Sequence, residues 1–166
     1  GGILYAAESF GWDTIGFEIR SELARLGNQR LHHGRVIVAD STEPLDVADE
    51  YCDLVFFVPP LPNLSPGKYP DKNQIIKKFR ANSEVYLRNM RKILHNTYPI
   101  LKKDCNLVFS TRSVRLEDGQ ELDLPAIFGK YAKEVGYRFV EKIIHKEARS
   151  LANVNDKCFI CVYRKR

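Results

Sequence analysis

Hydrophobic and polar positions along this chain follow helix-like and strand-like spacings in turn. Amphipathic spacing predicts helices over 3–10, 21–26, 73–101 with a break near Asn82, and 125–135 closed by Gly136. Strand patterns occur at 14–19, 35–39, 54–58, 106–110, 138–144 and 157–163. Such alternation is typical of an α/β fold with a doubly wound, mostly parallel sheet. The last two strands are close enough in sequence to form an antiparallel pair at the sheet edge.

One predicted strand ends in an unusual way. The apolar run Leu54-Val55-Phe56-Phe57-Val58 is typical of a buried parallel strand, and Pro59 and Pro60 then prevent further pairing. Open α/β sheets bind ligands beyond the carboxyl ends of their strands. The turn Val58-Pro59-Pro60-Leu61 is therefore predicted to lie where a substrate binds, and the length of the loop over 59–71 suggests a functional role.

Length and composition predict one compact domain over 1–166, because 44% of the residues are hydrophobic and 28% are charged. No apolar run approaches the roughly 20 residues that span a bilayer, and the first residues lack a signal-peptide pattern. We therefore expect no membrane partner and an intracellular location, cytoplasmic or nuclear. The net charge of +5 favours polyanionic partners, although the basic residues over 72–103 also suit a solvated helix face.

The four cysteines lie in or beside strand-like segments, which indicates reduced core thiols and not disulfides. Cys158 and Cys161 have a metal-like spacing, but an offset of three on a strand places the two sulfurs on opposite faces. The four histidines also lack ligand spacing, so we predict no metal site. The chain has neither a nucleophile elbow nor a Gly-Lys-Ser/Thr phosphate loop, which argues against hydrolases and nucleoside triphosphatases.

The residues at the first two strand ends resemble the cofactor site of class I S-adenosylmethionine-dependent methyltransferases. Gly1-Gly2-Ile3-Leu4 opens a helix, and Gly16-Phe17-Glu18-Ile19 follows as a strand. The resemblance implies a Rossmann-like methyltransferase sheet in which Gly1 and Gly2 approach the methionine portion of S-adenosylmethionine and Glu18 holds its ribose hydroxyls. Physically, Gly2 can adopt torsions closed to other residues, and the carboxylate of Glu18 offers two acceptor oxygens to a diol.

The same resemblance assigns a third strand end to the cofactor. Asp40-Ser41 follows the strand residues Val36-Ile37-Val38-Ala39 at the place where the family often presents a side chain to the adenine amino group. Structural alternatives remain open for each of these residues. Gly1 and Gly2 could be a cloning remnant, Glu18 could favour the start of a helix, and Asp40 could be an ordinary helix cap.

The proline pair narrows the resemblance to the amino-methyltransferases of DNA and RNA, of the N6-adenine and N4-cytosine type. Their tetrapeptide has Asp, Asn or Ser, then Pro-Pro, then an aromatic residue. Similarity to the later strands of these enzymes extends over 107–112, 122–125 and 136–141, so the resemblance covers nearly the whole chain. Many relatives have a Pro-Gly-Gly turn where this chain has Lys102-Lys103-Asp104-Cys105.

This chain departs from the family at both ends of the tetrapeptide. In the family, the first side chain and the first proline carbonyl accept hydrogen bonds from the substrate amine, and the aromatic ring stacks on a flipped base. Val58 cannot accept a hydrogen bond, and Leu61 has no π face. Loss of the charge-assisted hydrogen bond costs about 1.5 to 3 kcal/mol, and loss of base stacking costs about 1 to 3 kcal/mol. Together these losses predict turnover that is slower by roughly 10² to 10⁴. Asn63, Ser65 or Tyr69 could substitute, although such loop residues are more often only solvated.

The family fold begins with a strand before the glycine turn, and nothing precedes Gly1 in this sequence. We therefore expect the first strand to be missing and the chain to be a fragment, or to be completed by a partner subunit. Two functions are predicted. The first is methyl transfer from S-adenosylmethionine to an exocyclic amine of an RNA or DNA base. The alternative is an inactive methyltransferase-like subunit that binds nucleic acid or activates a partner, and small-molecule or protein substrates also stay open.

Overall fold

The structure is a computed structural model that describes residues 2–60, 83–115, 121–146 and 157–166. The chain divides into two compact units, Gly1–Asp46 and Val47–Arg166, called here the N-terminal and C-terminal units. The prediction of one domain over 1–166 stays a prediction. The predicted loop after Pro60, the first part of the long helix and its break near Asn82 lie outside the described residues.

The N-terminal unit alternates helices and strands as predicted. Its elements are α1 (Gly2–Ser9), β1 (Ile15–Glu18), α2 (Ser21–Asn28) and β2 (Arg35–Val38). The two strands pair in parallel, and Glu18 lies directly opposite Val38 at their carboxyl ends. Their last residues therefore leave the sheet at the same edge, which is where ligands bind in open α/β sheets.

Two polar side chains connect the helices of this unit to its loops and strands. The carboxylate of Glu8, in α1, accepts hydrogen bonds from the backbone N–H groups of His32 at 2.9 Å, His33 at 3.0 Å and Gly34. Nδ2 of Asn28 donates to the carbonyl of Val36 at 2.9 Å, and the N–H of Val36 donates to Oδ1 of Asn28 at 2.7 Å. Among the described strands β2 pairs only with β1, so Asn28 satisfies backbone groups of β2 that no described strand bonds. Both contacts fix the entry into β2.

The C-terminal unit contains a four-stranded sheet with helices packed on it. Its elements are β3 (Cys52–Phe57), α3 (Ser83–Ile100), β4 (Leu101–Thr111), β5 (Val114–Arg115), β6 (Glu121–Leu122), α4 (Leu124–Val135), β7 (Arg138–Lys146) and β8 (Lys157–Arg164). The order in the sheet is β3-β4-β8-β7, with β3 and β4 parallel and β8 antiparallel to both of its neighbours. The short strands β5 and β6 form a separate hairpin. The predicted antiparallel pair is confirmed, and β8 lies between β4 and β7.

Aromatic side chains from both helices and two central strands form the core of this unit. Phe109 of β4 contacts Phe128 of α4 at 5.9 Å between ring centroids and stacks on Tyr163 of β8 at 5.6 Å. Phe128 also contacts Tyr86 of α3 at 6.2 Å, so both helices pack against one face of the sheet. Phe109 and Phe128 are fully buried. This core holds β4 rigidly beside β3, whose end forms the predicted substrate turn.

The predicted fold class is confirmed: the chain is a mixed α/β protein with parallel pairing in both units and an antiparallel pair at one edge. Gly136 ends α4 with φ 123°, and its N–H bonds the carbonyls of Ala132 and Lys133. Among the described strands, β1 has only β2 as a neighbour and β3 has only β4. None of the described helices has both the length and the apolar character needed to cross a bilayer.

One strand starts earlier than the pattern predicted. β4 begins at Leu101 and not at Asn106, because Leu101 pairs with Cys52 before an irregular stretch, and Asn106 then pairs with Leu54. Because this stretch contains charged residues, hydrophobic spacing does not predict that it forms a strand. Asp104 within it has φ 61°, a left-handed conformation that Asp and Asn tolerate better than most residues.

Candidate cofactor and substrate site

Glu18 ends β1, and Arg20 holds its carboxylate in one orientation. Oε1 of Glu18 accepts hydrogen bonds from the backbone N–H of Arg20 at 3.0 Å and from its side-chain Nε at 3.4 Å. The Glu18 side chain is 30% exposed, and no described residue donates to its other oxygen, Oε2. One carboxylate oxygen is therefore fixed, while the second stays available to hydroxyl donors from a ligand.

Asp40 leaves β2 at the same edge as Glu18. The backbone N–H of Ala39 donates to the carbonyl of Glu18 at 3.2 Å, so the two strand ends are joined. Oδ1 of Asp40 accepts from the backbone N–H of Thr42 at 2.9 Å and from its hydroxyl at 2.8 Å. The structure thus brings Glu18 and Asp40 to one end of the β1–β2 pair.

The local structure also tests the alternatives for these acids. Residues 41–46 form a turn and bends and no helix, so Asp40 does not cap a helix and instead closes a turn through Thr42. Helix α2 begins at Ser21 with Arg20 as its N-terminal cap residue. Glu18 precedes that cap and is the last residue of β1, so it does not lie in the first turn of the helix. Ser41 is half-buried in the turn. Sequence reasoning missed Thr42, although Asp-Ser-Thr is a turn-forming composition that could have indicated it.

Gly2 does not use the conformational freedom of glycine in this structure. Gly2 is exposed in the first turn of α1, its φ lies outside the left-handed range, and a Cβ added there would meet no atom within 4 Å. The backbone therefore does not require glycine at this position. Its role at the cofactor stays a prediction without conformational support, and Gly1 lies outside the described residues.

The predicted substrate turn begins where the prolines indicated. Strand β3 ends at Phe57, and the side chain of Val58 is 55% exposed. Pro59 is buried and Pro60 is exposed, whereas Leu61 lies outside the described residues, as do Asn63, Ser65 and Tyr69. Prolines therefore end this strand, and Val58 presents an apolar surface beyond its carboxyl end.

A buried polar group lies at the carboxyl end of β4. Phe57, the last residue of β3, is opposite Phe109, and β4 continues for two more residues to Thr111. Thr111 is only 3% exposed, and its hydroxyl has no hydrogen-bond partner among the described residues. The pattern predicted a strand ending at Ser110 and provided no sign of this unpaired hydroxyl.

The two cysteines of β8 are arranged as their spacing indicated. All four are free thiols, and Cys158 and Cys161 lie on opposite faces of β8, since Cys158 contacts the Ser110 hydroxyl at 3.1 Å while Cys161 is in the core. Burial raises the pKa of the Cys161 thiol to about 11 and that of Tyr163 to about 12. Within the described ranges, no cluster of His, Cys, Asp and Glu could hold a metal ion.

Comparison with solved structures identifies proteins of similar fold. A TehB-like SAM-dependent methyltransferase from Corynebacterium glutamicum has a TM-score of 0.61 at 16% identity, covering 100% of this chain and 73% of that chain. A SAM-dependent methyltransferase from Methanosarcina mazei has a TM-score of 0.64 at 11% identity, covering 95% and 84%. Neither models of protein families nor curated proteins match the chain.

A putative DNA modification methylase from Thermus thermophilus, in complex with S-adenosyl-L-methionine, is also similar. Its TM-score is 0.55 at 20% identity, with 76% of this chain and 53% of that chain covered. This chain thus spans about half the length of that protein. At these identities the similarity establishes the fold, and the fold is the one found in SAM-dependent methyltransferases.

Proposed function

We propose that this chain binds S-adenosylmethionine and transfers its methyl group to an exocyclic amine of a nucleic-acid base, in RNA or DNA, inside the cell. The observation that carries the proposal is the carboxylate of Glu18 at the end of a parallel strand, with Oε1 fixed by Arg20 and Oε2 free of described partners. In a chain with this fold, a carboxylate so placed suits the ribose diol of the cofactor.

The cofactor supplies a methyl group on a positively charged sulfur, and this chain's residues would hold it. Glu18 would accept hydrogen bonds from the ribose hydroxyls, while Asp40 and Ser41 would face the adenine. The turn that Asp40 forms with Thr42 makes its carboxylate rigid before the ligand binds, which lowers the entropy lost on binding. Gly1 and Gly2 would lie beside the methionine portion.

The nucleic-acid substrate is supported by the Val58-Pro59-Pro60-Leu61 turn and by the similarity to a protein described as a putative DNA modification methylase. The carbonyl of Pro59 would accept a hydrogen bond from the substrate amine and direct the nitrogen lone pair toward the methyl group. The exposed Val58 provides apolar contact without an acceptor. Methyl transfer should therefore be slow in the natural sequence.

The cofactor assignment is tested by isothermal titration of the whole chain with S-adenosylmethionine. Glu18→Gln removes the charge and retains the shape, and we expect its Kd to rise by roughly 10- to 100-fold, because a hydrogen bond to a charged group contributes about 1.5 to 3 kcal/mol. The matched control is Glu22→Gln in α2, the same chemical change in the same unit, which should leave Kd unchanged. Equal affinities for wild type and Glu18→Gln would contradict the assignment.

Methyl transfer is measured separately, with single-stranded RNA and DNA and mass spectrometry of the digested nucleosides. Val58→Asp restores an acceptor at the first position of the turn and should increase the rate by roughly 10-fold or more. Cofactor binding without transfer to either nucleic acid, in both wild type and Val58→Asp, would favour the inactive subunit that activates a partner.

A further inference from the structure

A basic cleft lies at the end of the C-terminal unit opposite the substrate turn. It has a volume of about 370 Å³ and is lined by Lys103, Asp104, Arg138, Arg164, Lys165 and Arg166. Five of these side chains are cationic and one is acidic. The cleft adjoins the start of β4, whereas the turn with Val58 and Pro59 follows the carboxyl end of β3, which is parallel to β4.

Two arginines of this cleft lie opposite one another in the sheet, and no described carboxylate neutralises them. In the sheet register, Arg138 of β7 is directly opposite Arg164 of β8, and Arg164 is opposite Asn106 of β4. Residues opposite one another share a face, and like charges in such pairs destabilise a sheet. Among the described residues, no carboxylate forms an ion pair with either arginine, so the folded chain retains an uncompensated repulsion at this point.

The other polar groups of the cleft have defined roles. Oδ1 of Asn106 accepts from Nε of Arg164 at 3.1 Å, which orients the guanidinium and leaves its terminal N–H groups for a ligand. Lys165 is different: it is 8% exposed, and its Nζ donates to the carbonyl of Leu101 at 2.7 Å. Lys165 is therefore committed to the fold, and the exposed Lys103 adds the next available charge.

We propose that this cleft binds the phosphodiester backbone of a nucleic acid. A guanidinium group can donate two parallel hydrogen bonds to the oxygens of a phosphate. One phosphate bound between Arg138 and Arg164 would also remove the repulsion between the two positive charges. The choice of a nucleic acid over other phosphate ligands rests on the proposed function. The seven residue steps from Asp104 to Thr111 correspond to about 23 Å of extended strand, so the cleft binds a part of the nucleic acid remote from the reacting base. Such contacts position the strand and do not read its sequence.

The test is fluorescence anisotropy of the whole chain with a labelled single-stranded RNA, and with its DNA counterpart, between about 50 and 200 mM salt. For Arg138→Gln/Arg164→Gln we expect Kd to rise by about 10-fold or more at the lowest salt. The slope of log K against log salt should fall in magnitude by about 0.7, because the one phosphate held between the two arginines is lost. The matched control is Lys130→Gln/Lys133→Gln in α4, which removes the same charge from another groove and should change Kd less.

Two further variants keep the test independent of folding defects. Lys103→Gln/Arg138→Gln changes two exposed side chains that bond no described residue, and it should also weaken binding. Asp104→Asn removes the carboxylate of the cleft while retaining a residue that tolerates φ 61°, and it should tighten binding. Circular dichroism melting curves would establish that each variant is folded.

The outcomes separate this proposal from the proposed function. Loss of oligonucleotide binding in the arginine variant, with unchanged titration by S-adenosylmethionine, supports the cleft. Oligonucleotide binding that depends on the arginines, in a chain that does not bind the cofactor, supports the cleft and rejects the methyltransferase. The proposal is overturned if wild type binds no oligonucleotide, if inorganic phosphate binds but the oligonucleotide does not, or if the lysine control weakens binding as much as the arginine variant.

Discussion

Two buried threonines of the C-terminal unit differ in the environment of their hydroxyl groups. Thr97 of α3 is 6% exposed, and its hydroxyl bonds the carbonyl of Leu94 at 2.9 Å and the hydroxyl of Tyr137 at 3.2 Å. Thr111 of β4 is 3% exposed, but no described residue bonds its hydroxyl. A buried hydroxyl without a partner loses its hydration and gains nothing in return.

Replacement of each threonine by valine should therefore have opposite effects on stability. Thr111→Val removes an unpaired hydroxyl and should raise the free energy of unfolding by about 0.5 to 1.5 kcal/mol. Thr97→Val leaves the Tyr137 hydroxyl without this partner and should lower it by about 1 to 3 kcal/mol. Urea denaturation monitored by circular dichroism measures both changes. A destabilised Thr111→Val protein would show that the hydroxyl has a partner.

The sequence indicated some of the important single residues and gave no sign of others. The family resemblance implied Glu18 as a cofactor residue, and its carboxylate does lie at the end of β1. Gly2 lies in α1 with torsions that other residues can adopt, because the torsion of a residue depends on the element in which it folds. Thr111 could not be identified, since whether a buried hydroxyl finds a partner depends on the packing of neighbouring strands.

At the scale of elements, the contact between α1 and the loop before β2 depends on one carboxylate. The hydrogen bond from His32 contributes most to lowering the pKa of Glu8, and the N–H groups of Gly34 and His33 add to it against the opposing effect of desolvation. A carboxyl whose folded pKa lies below its ordinary value of 4.5 stabilises the fold above that value. This contribution is lost as pH falls through the folded pKa.

Glu8→Gln should remove that part of the acid sensitivity. At neutral pH the variant should melt at a lower temperature than wild type, because a neutral amide oxygen accepts the three N–H groups more weakly than a carboxylate. The difference should shrink as pH falls below 4.5 and the wild-type carboxyl becomes protonated. Thermal melting curves across this range measure the effect, with Glu22→Gln as the control. A constant difference at all pH values would contradict the assignment.

Strand β4 shows why hydrophobic pattern does not predict the exact boundaries of an element. Its first half contains Lys102, Lys103 and Asp104, which have a loop-like composition. Pairing of Leu101 with Cys52 nevertheless extends the strand, and Lys165 stabilises its start by donating to the carbonyl of Leu101. These partners are far away in the sequence, so no local signal predicts them.

At the scale of the molecule, the two units differ in the size of their buried cores. Among the described residues of the N-terminal unit, Ala24 and Val36 are the buried apolar side chains, and none of the residues of α1 is buried. The C-terminal unit contains a large aromatic core around Phe109 and Phe128. Since apolar burial is the main favourable contribution to folding, the N-terminal unit should open at a lower free energy than the sheet of the C-terminal unit.

Hydrogen–deuterium exchange measured by mass spectrometry tests this difference. Peptides from α1 and α2 should exchange faster than peptides from β4 and β8 at neutral pH. S-adenosylmethionine should slow exchange around Glu18 and Asp40, because a ligand that binds only the folded state stabilises it. Equal protection of the two units without cofactor would contradict the prediction.

Local patterns in the sequence were enough to predict the order of the elements and the ends of several strands. Alternating hydrophobic spacings predicted the α/β class, the proline pair predicted the end of β3, and Gly136 predicted the end of α4, because each of these is a local property of the backbone. Which side chains meet became visible only in the folded chain. It showed that Arg20 orients Glu18, that Asp40 bonds Thr42, and that Arg138 and Arg164 lie opposite one another. Strand register and packing bring such groups together across the sequence, and hydrophobic spacing contains no information about register.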